Sequence, residues 1–226
     1  MRIDRLLLFP LCGLALFTAY AAGCTGGIPP EQAKELEAVQ VKEYQGEKLS
    51  SVTDFRENSI KGPQHIIMDN YTLKVSGLVE KPSSNTYEEV IKGHQSYTKV
   101  VGLDCVEGWS VKILWEGVRI KDIIEKAGVL PAARVIIFHA YDGYTTALPL
   151  GYIIDNNLLL AYKMNGVALP PERGFPFQLV AENKWGYKWI KWVTELELSD
   201  NINYLGYWER AGYSNDASVN YPFYER

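Results

Sequence analysis

Among the residue types of this sequence, cysteine limits the possible functions of the protein most. The 226-residue chain contains three cysteines: Cys12, Cys24 and Cys105. Cys12 lies in an apolar N-terminal run and Cys24 directly follows it, which leaves Cys105 alone in the sequence that builds a folded domain. Such a thiol is an inert buried side chain, a nucleophile, or a ligand for a soft metal ion. No pair of cysteines has zinc-finger spacing.

A cysteine nucleophile needs a neighbouring base, and His139, at the end of a predicted strand, is the candidate. The pair would describe a cell-wall cysteine hydrolase or transpeptidase. Asp104 and Glu107 flank Cys105 and count against this hypothesis, because nearby carboxylates raise the pKa of a thiol. A lone thiol is also unusual in an exported protein, since the compartment oxidises free cysteines.

The first 23 residues predict an export signal. Two arginines precede an apolar run from Leu6 to Gly23, which a proline interrupts. A membrane-spanning helix needs roughly 20 uninterrupted apolar residues, so a signal peptide is the better interpretation. Cleavage follows Ala21 at an A-x-A site, or precedes Cys24 in a segment that resembles a bacterial lipobox. We expect a protein in the periplasm or on the outer face of the cytoplasmic membrane, in contact with the membrane through a lipid anchor if Cys24 is lipidated.

Composition and charge exclude several other classes of protein. Hydrophobic residues make up 47% of the chain and charged residues 22%, which is typical of a globular protein. The chain has 23 basic and 27 acidic residues, a formal net charge of -4, which argues against nucleic-acid binding through phosphate contacts. The 15 tyrosines, 6 tryptophans and 7 phenylalanines favour a β-rich domain or a pocket that stacks flat ligands.

Hydrophobic periodicity predicts the elements that position Cys105. A helix is expected over 120–127, where apolar residues recur at helical spacing before Gly128, and a shorter helix through Lys92 with Thr86 as its cap. Asn165-Gly166 predicts a tight hairpin turn. In the last strand, Trp192 and Thr194 are expected to share a face with the buried leucines. The predicted strands are 71–76, 97–103, 135–140, 158–164, 177–181 and 191–198.

These elements predict an α+β fold with mixed β-sheets and a few short helices. We divide the chain into an export signal (1–23), a tether and N-terminal arm (24–64), one domain (65–200) and an aromatic-rich C-terminal tail packed on that domain (201–226). The arm is expected to be a short helix or an extended segment.

Five motifs follow one another in a fixed order around the lone cysteine. They are LDCVEGWS (103–110), DGYTTALPL (142–150), LLAYKMNG (159–166), LPPERGFP (169–176) and NKWGYKWIKW (183–192). This series resembles the molybdopterin-binding domain of the sulfite oxidase family, over about residues 71–200. The resemblance implies the sulfite-oxidase-type molybdopterin-binding fold. It also implies a molybdenum oxidoreductase that performs two-electron oxygen-atom transfer on a small-molecule substrate.

The same resemblance implies how a cofactor is held. Molybdenum would be bound by the two dithiolene sulfurs of a single pterin and by the thiolate of Cys105, and a metal on the sulfur explains how an unpaired cysteine survives export. Tyr144 would lie beside the metal as a catalytic residue, and Gly186 would let the backbone approach the cofactor. Trp109 and Trp115 are candidates for the pocket wall, although large aromatic side chains are more often core residues. The implied cofactor-binding cations are Arg173, Lys184, Lys188 and Lys191.

Two departures from the family pattern bear on the substrate. Sulfite oxidases carry an arginine two residues after the proline of the Gly-Phe-Pro motif, where this chain has Gln178. Relatives often place a cation three residues before the cysteine, where this chain has Gly102. An oxyanion favours forked, positively charged donors. The sequence therefore argues against sulfite as the substrate.

The sequence also predicts a separate redox partner. It contains no C-x-x-C-H haem motif, no iron–sulfur cysteine set and no G-x-G-x-x-G at a strand–helix junction. We expect electrons to be exchanged with another protein, a cytochrome or a membrane haem subunit. The alternative is a binding lipoprotein that kept the fold but lost the cofactor.

Overall fold

The computed structural model describes residues 27–224. The predicted signal and Cys24 lie outside the described residues. No helix in the described part of the chain is long and apolar enough to cross a membrane. The α-helices there are α1 (Pro30–Val39), α2 (Tyr87–Gly93), α3 (Ile120–Ala127) and α4 (Leu150–Asp155).

Twelve strands, several very short, occur within residues 27–224. They are β1 (Glu43–Tyr44), β2 (Glu47–Lys48), β3 (Leu73–Gly77), β4 (Ser83–Asn85), β5 (Ser96–Asp104), β6 (Ser110–Arg119), β7 (Val135–Ala140), β8 (Thr145–Pro149), β9 (Leu159–Met164), β10 (Val167–Ala168), β11 (Gln178–Val180) and β12 (Val193–Ser199).

The strands build two five-stranded sheets and one small hairpin, β1–β2. The mixed sheet has the order β4-β3-β12-β7-β8, in which β12 is parallel to β3 and antiparallel to β7. The antiparallel sheet has the order β10-β9-β6-β5, and β11 also pairs with β9. Helix α3 contacts β6, α4 contacts β7 and β8, and the two helices contact each other. Side chains of both sheets meet in one hydrophobic core.

Local sequence signals account for several of these elements. The apolar side chains of α3 are buried at helical spacing, and the helix ends at Gly128, whose φ is 72°. Thr86 caps α2, since its hydroxyl accepts from the backbone N–H of Glu89 and the Glu89 carboxylate binds the Thr86 N–H. Asn165 and Gly166, with φ of 46° and 78°, join β9 to β10. The predicted α+β fold with mixed sheets and short helices is confirmed.

Other predictions were incomplete or wrong. Strands β6 and β8 and helix α4 were not predicted. The predicted face of the last strand is confirmed for Trp192, Leu196 and Leu198, which are buried, but it was wrong at one position: Val193 is buried and Thr194 is only half-buried. A register shift in the pairing of β12 with β7 interrupts the alternation, and Trp192 precedes the strand with φ of 53°. The shift lies at Thr194, so Val193 takes the buried position there while the alternation resumes from Glu195 onward, which a strict two-residue period cannot foresee.

The segments on both sides of the predicted domain pack against it. Val52, within the predicted arm, is fully buried in the main core. At the other end, Tyr204 packs against a smaller buried cluster on β7 and β8, and Glu209 of the C-terminal segment is buried, where it pairs with Lys188. The structure therefore shows no gap in packing at the boundary expected after residue 64.

Candidate active site

A cavity of about 400 Å³ lies where three loop segments meet. They are residues 55–60 of the N-terminal arm, the turn that follows β5, and the segment 186–192 before β12. The volume is within the range of ordinary small-molecule sites. The remaining wall comes from Asp142, Tyr144, Glu172, Arg173, Gln178, Trp208 and Tyr213.

Cys105 lies in this wall, directly after β5. Its backbone N–H donates to the Trp109 carbonyl over 2.9 Å, and its carbonyl accepts from the Gly108 N–H over 3.0 Å. Gly108 has φ of 84°, a conformation that glycine adopts without steric cost. The thiol is free and buried, and the Asn58 side-chain amide donates to its sulfur over 3.6 Å. Burial raises the pKa of the thiol. A hydrogen bond from the backbone N–H of Glu107 partly offsets this rise.

The turn that contains Gly186 lies against the cysteine. Asp104 and Trp185 form a parallel backbone bridge, which holds the two segments side by side. A Cβ at position 186 would lie 3.5 Å from the Cys105 Cα and 3.4 Å from the Asp104 carbonyl oxygen. Such a methyl group would make ordinary van der Waals contacts, so its main effect would be to fill space beside the thiol.

Two predicted cations lie on the cavity wall. Arg173 is almost fully buried, and its Nε and Nη2 donate to the carbonyls of Val52 and Phe55 over 2.9 Å and 2.6 Å. Its guanidinium lies 3.8 Å from the centroid of the Phe55 ring, and burial lowers its pKa to about 10. Lys191 pairs with the Glu57 carboxylate, and burial lowers the pKa of this lysine too. Both cations therefore keep a defined position in the wall.

The structure does not place the other two predicted cations on this wall. Lys188 is fully buried, pairs with Glu209, and donates to the Ala147 carbonyl over 3.1 Å. Lys184 Nζ lies 2.8 Å from Asp216 Oδ1. Both side chains turn toward the C-terminal segment, because their acidic partners, Asp216 and Glu209, lie there.

Tyr144 lies in the wall, but its hydroxyl has a partner. It donates to the Tyr187 carbonyl over 2.6 Å, and burial, together with the charge of Glu209, raises its pKa well above the usual value. Trp109 lies in the wall as expected. Trp115 does not, since it is fully buried in the core and donates to the Val101 carbonyl over 3.3 Å.

The proposed cysteine–histidine pair is not formed. His139 Nε2 lies 2.7 Å from Glu197 Oε2, and the histidine is not among the residues that line the cavity. The side chain that hydrogen-bonds the Cys105 sulfur is the Asn58 amide, which is not a base. The predicted base, His139, therefore does not serve Cys105 in this structure.

Sequence reasoning missed the contribution of residues 55–60. This segment brings Arg56, Glu57 and Asn58 to the cavity, although it has no periodicity that predicts an element. The signal available was chemical: three adjacent polar residues next to a phenylalanine, within a stretch otherwise interpreted as an arm. Asp142 was also missed as a wall residue; it is buried and accepts from the Tyr144 N–H over 2.9 Å.

The donor set of the cavity fits a bound cofactor that brings its own ligands. No group of three His, Cys, Asp or Glu side chains within residues 27–224 is placed to hold a metal ion. A metal beside Cys105 would therefore take most of its ligands from the cofactor, and a thiolate is the soft ligand that the protein adds. In the described wall, the buried Glu172 Oε2 has no hydrogen-bond partner. Unpaired polar groups of this kind are expected where a polar ligand binds.

Comparison with protein families gives one match that covers most of the chain. The model described as the oxidoreductase molybdopterin binding domain matches residues 60–208. The matched range contains every predicted site residue and ends within the C-terminal segment.

Individual relatives agree with this match. The uncharacterized oxidoreductase YuiH of Bacillus subtilis (strain 168) is 40% identical over 152 residues, 67% of this chain and 76% of that protein. The protein-methionine-sulfoxide reductase catalytic subunit MsrP of Xanthomonas axonopodis pv. citri (strain 306) is 29% identical over 157 residues, 63% of this chain and 49% of that subunit. The chain thus spans about half the length of that subunit.

A solved structure supports the fold. The sulfane dehydrogenase SoxCD from Paracoccus pantotrophus superposes with a TM-score of 0.65 at 21% sequence identity. The superposition covers 84% of this chain and 56% of that one. At this level of identity, the likeness shows the arrangement of strands and helices alone.

Proposed function

Because the chain belongs to the oxidoreductase molybdopterin-binding domain family, we propose that it carries out two-electron oxygen-atom transfer on a small substrate in the cavity beside Cys105. The protein is a molybdopterin-dependent oxidoreductase, and its cofactor is molybdenum-molybdopterin. When bound, this cofactor supplies the oxygen-atom transfer and the two-electron change, while the protein supplies binding, orientation and electrostatics.

The observation that carries the proposal is the free thiol of Cys105 in the wall of the cavity. The thiolate is the protein ligand of the metal, and the Asn58 amide, which donates to the sulfur over 3.6 Å, orients it and stabilises its negative charge. The backbone contacts of the Cys105–Trp109 turn keep the sulfur in one position.

The remaining wall residues bind and enclose the cofactor. Arg173 and Lys191 hold its anionic groups, and Gly186 leaves room for it beside Cys105. Tyr144 encloses the site, and its hydroxyl oxygen can still accept a hydrogen bond while it donates to Tyr187. Their places in one wall support these roles.

Lys184 and Lys188 act indirectly. Their ion pairs with Asp216 and Glu209 hold the C-terminal segment, which contributes Trp208 and Tyr213 to the wall. We assign these two lysines to the support of the cavity rather than to contact with the cofactor.

The redox partner is a separate protein. The sequence contains no motif for a second redox centre, and a curated relative carries the name of a catalytic subunit, which supports an assembly with another chain. We propose a cytochrome or a membrane haem subunit in that role. The sequence of residues 1–23 supports export, and Cys24 would attach the enzyme to the outer face of the cytoplasmic membrane if it is lipidated.

Two other functions were considered from the sequence. A cysteine hydrolase has no support, because His139 pairs with Glu197 away from the cavity. A cofactor-free binding lipoprotein is inconsistent with membership of a cofactor-binding family whose match includes Cys105.

The test is the metal and pterin content of the purified chain, expressed in a host that loads related enzymes. Wild-type protein is expected to contain stoichiometric molybdenum by mass spectrometry and to release pterin on denaturation, and Cys105→Ser to lose most of the metal. His139→Gln is the matched control and should retain it. Wild-type protein free of molybdenum would refute the proposal. Loaded enzyme is then screened for reduction of neutral oxides and oxidation of sulfite, with an artificial dye as electron partner.

A further inference from the structure

An ion pair lies at the opening of the cavity and has no role in the scheme above. Arg56 Nη1 is 3.8 Å from Glu107 Oε2, and both residues line the cavity. The side chains are 79% and 41% exposed, so the pair lies on the solvent side of the site.

Both members of the pair are tied to segments that contact the thiol. Glu107 is two residues after Cys105 in the tight turn, and its Oε2 also accepts from Trp109 Nε1 over 3.3 Å. Arg56 is two residues before Asn58, whose amide contacts the Cys105 sulfur. The guanidinium and the carboxylate are therefore the exposed charges of the two segments that contact the thiol.

The cavity wall as described carries slightly more negative than positive charge. Its cations are Arg56, Arg173 and Lys191, and its carboxylates are Glu57, Glu107, Asp142 and Glu172. Lys191 is already paired with Glu57. Arg56 is therefore the one exposed cation of the described wall, and Glu107 is the group that neutralises it.

We propose that Glu107 determines substrate charge: by pairing with Arg56 it leaves the opening without a free cation, so that neutral substrates enter and small oxyanions are disfavoured. This inference rests on the proposed function, whose substrate class it specifies. A free arginine would attract an oxyanion and bind it through two parallel hydrogen bonds. When the arginine pairs with a carboxylate, that attraction is lost, and the carboxylate itself repels an oxyanion.

The neutral side chain of Gln178 also supports a site for neutral substrates. Gln178 is buried and lines the cavity, and it can donate and accept hydrogen bonds without attracting a charge. A neutral oxide needs such a donor for its oxygen, whereas an oxyanion favours a charged one.

The pair is suited to a clean test, because exposed ion pairs contribute little to folding stability. The test compares wild-type holoprotein with Glu107→Gln and Arg56→Gln. Glu47→Gln is the matched control: Glu47 is half exposed and pairs with Lys112 over 2.7 Å, outside the cavity wall. Each variant removes one charge from an exposed ion pair.

The first measurement is quenching of tryptophan fluorescence by iodide and by acrylamide at constant ionic strength. The chain has six tryptophans, of which Trp109 donates to Glu107, so the change in quenching between wild type and the variants of the pair reports anion access to the opening. The ratio of iodide to acrylamide quenching constants should rise about twofold in Glu107→Gln and fall in Arg56→Gln. Glu47→Gln should leave it unchanged.

The second measurement is inhibition by sulfate of turnover of a neutral oxide. Sulfate should inhibit Glu107→Gln about fivefold more strongly than wild type. Equal quenching ratios and equal sulfate inhibition in Glu107→Gln, Glu47→Gln and wild type would overturn the inference. The quenching readout needs no catalysis, so a changed ratio in an inactive protein supports the charge role while the proposed function fails.

Discussion

The buried ion pair between Lys188 and Glu209 gives the sharpest stability prediction. Both side chains are fully buried, and the Glu209 carboxylate also accepts from the Thr146 hydroxyl over 2.7 Å. Lys188→Met leaves the Glu209 carboxylate buried without its cation. Breaking a buried pair in this way costs about 3–5 kcal/mol, a large share of a typical free energy of unfolding of about 5–15 kcal/mol.

The double variant separates the charge effect from packing. Replacing both partners, Lys188→Met with Glu209→Gln, leaves no buried charge, so much of the lost stability should return. A double-mutant cycle in urea, followed by circular dichroism, measures the coupling between the two side chains.

A half-exposed pair of the same residue types is the control. Lys163 Nζ lies 3.1 Å from Glu116 Oε1, with side chains 40% and 27% exposed. Lys163→Met should cost about 1 kcal/mol or less, because solvent screens that pair. If Lys188→Met lowers the free energy of unfolding no more than Lys163→Met does, burial does not make the Lys188–Glu209 pair more important than an exposed pair.

Three further predictions concern pH, a helix cap and the cofactor. Burial raises the pKa of Tyr152 to about 12, above its usual value of 10.0, so the unfolded chain ionises first as pH rises. Its contribution to stability is therefore complete below pH 10 and is lost as pH rises toward 12; urea titrations should show a shallower loss in Tyr152→Phe. Thr86→Ala removes the cap of α2 and should lower the free energy of unfolding by about 1 kcal/mol, measured by the same titrations. Arg173→Lys cannot make both carbonyl contacts of the guanidinium, so pterin retained after gel filtration should fall, whereas an unchanged pterin content would argue against Arg173 as a cofactor ligand.

Elements set by short-range sequence rules were predicted well. The apolar spacing and terminal glycine of α3, the Thr86 cap of α2 and the Asn165-Gly166 turn all appear as expected. Each of these features depends on residues within a few positions of one another, so the sequence contains the whole cause.

Strand β6 shows where such rules fail. It pairs with both β5 and β9, and its second half is buried on both faces. A strand covered on both sides loses the alternation of polar and apolar residues that marks a half-buried strand. Its neighbour β5 directly precedes it in the chain, but its other neighbour, β9, comes from a distant part of the chain, so no local pattern indicates that second pairing.

Sequence information was enough to identify the available chemistry: one thiol in the domain, the motifs around it, the family and therefore the cofactor. Which side chains meet that thiol depends on the tertiary structure. Arg173 and Lys191 line the cavity, whereas Lys184 and Lys188 turn to acidic partners in the C-terminal segment. The physical reason is that burial requires each charge to find a counter-charge, and those partners lie 21 or more positions along the chain, at a distance that spacing within a motif does not encode.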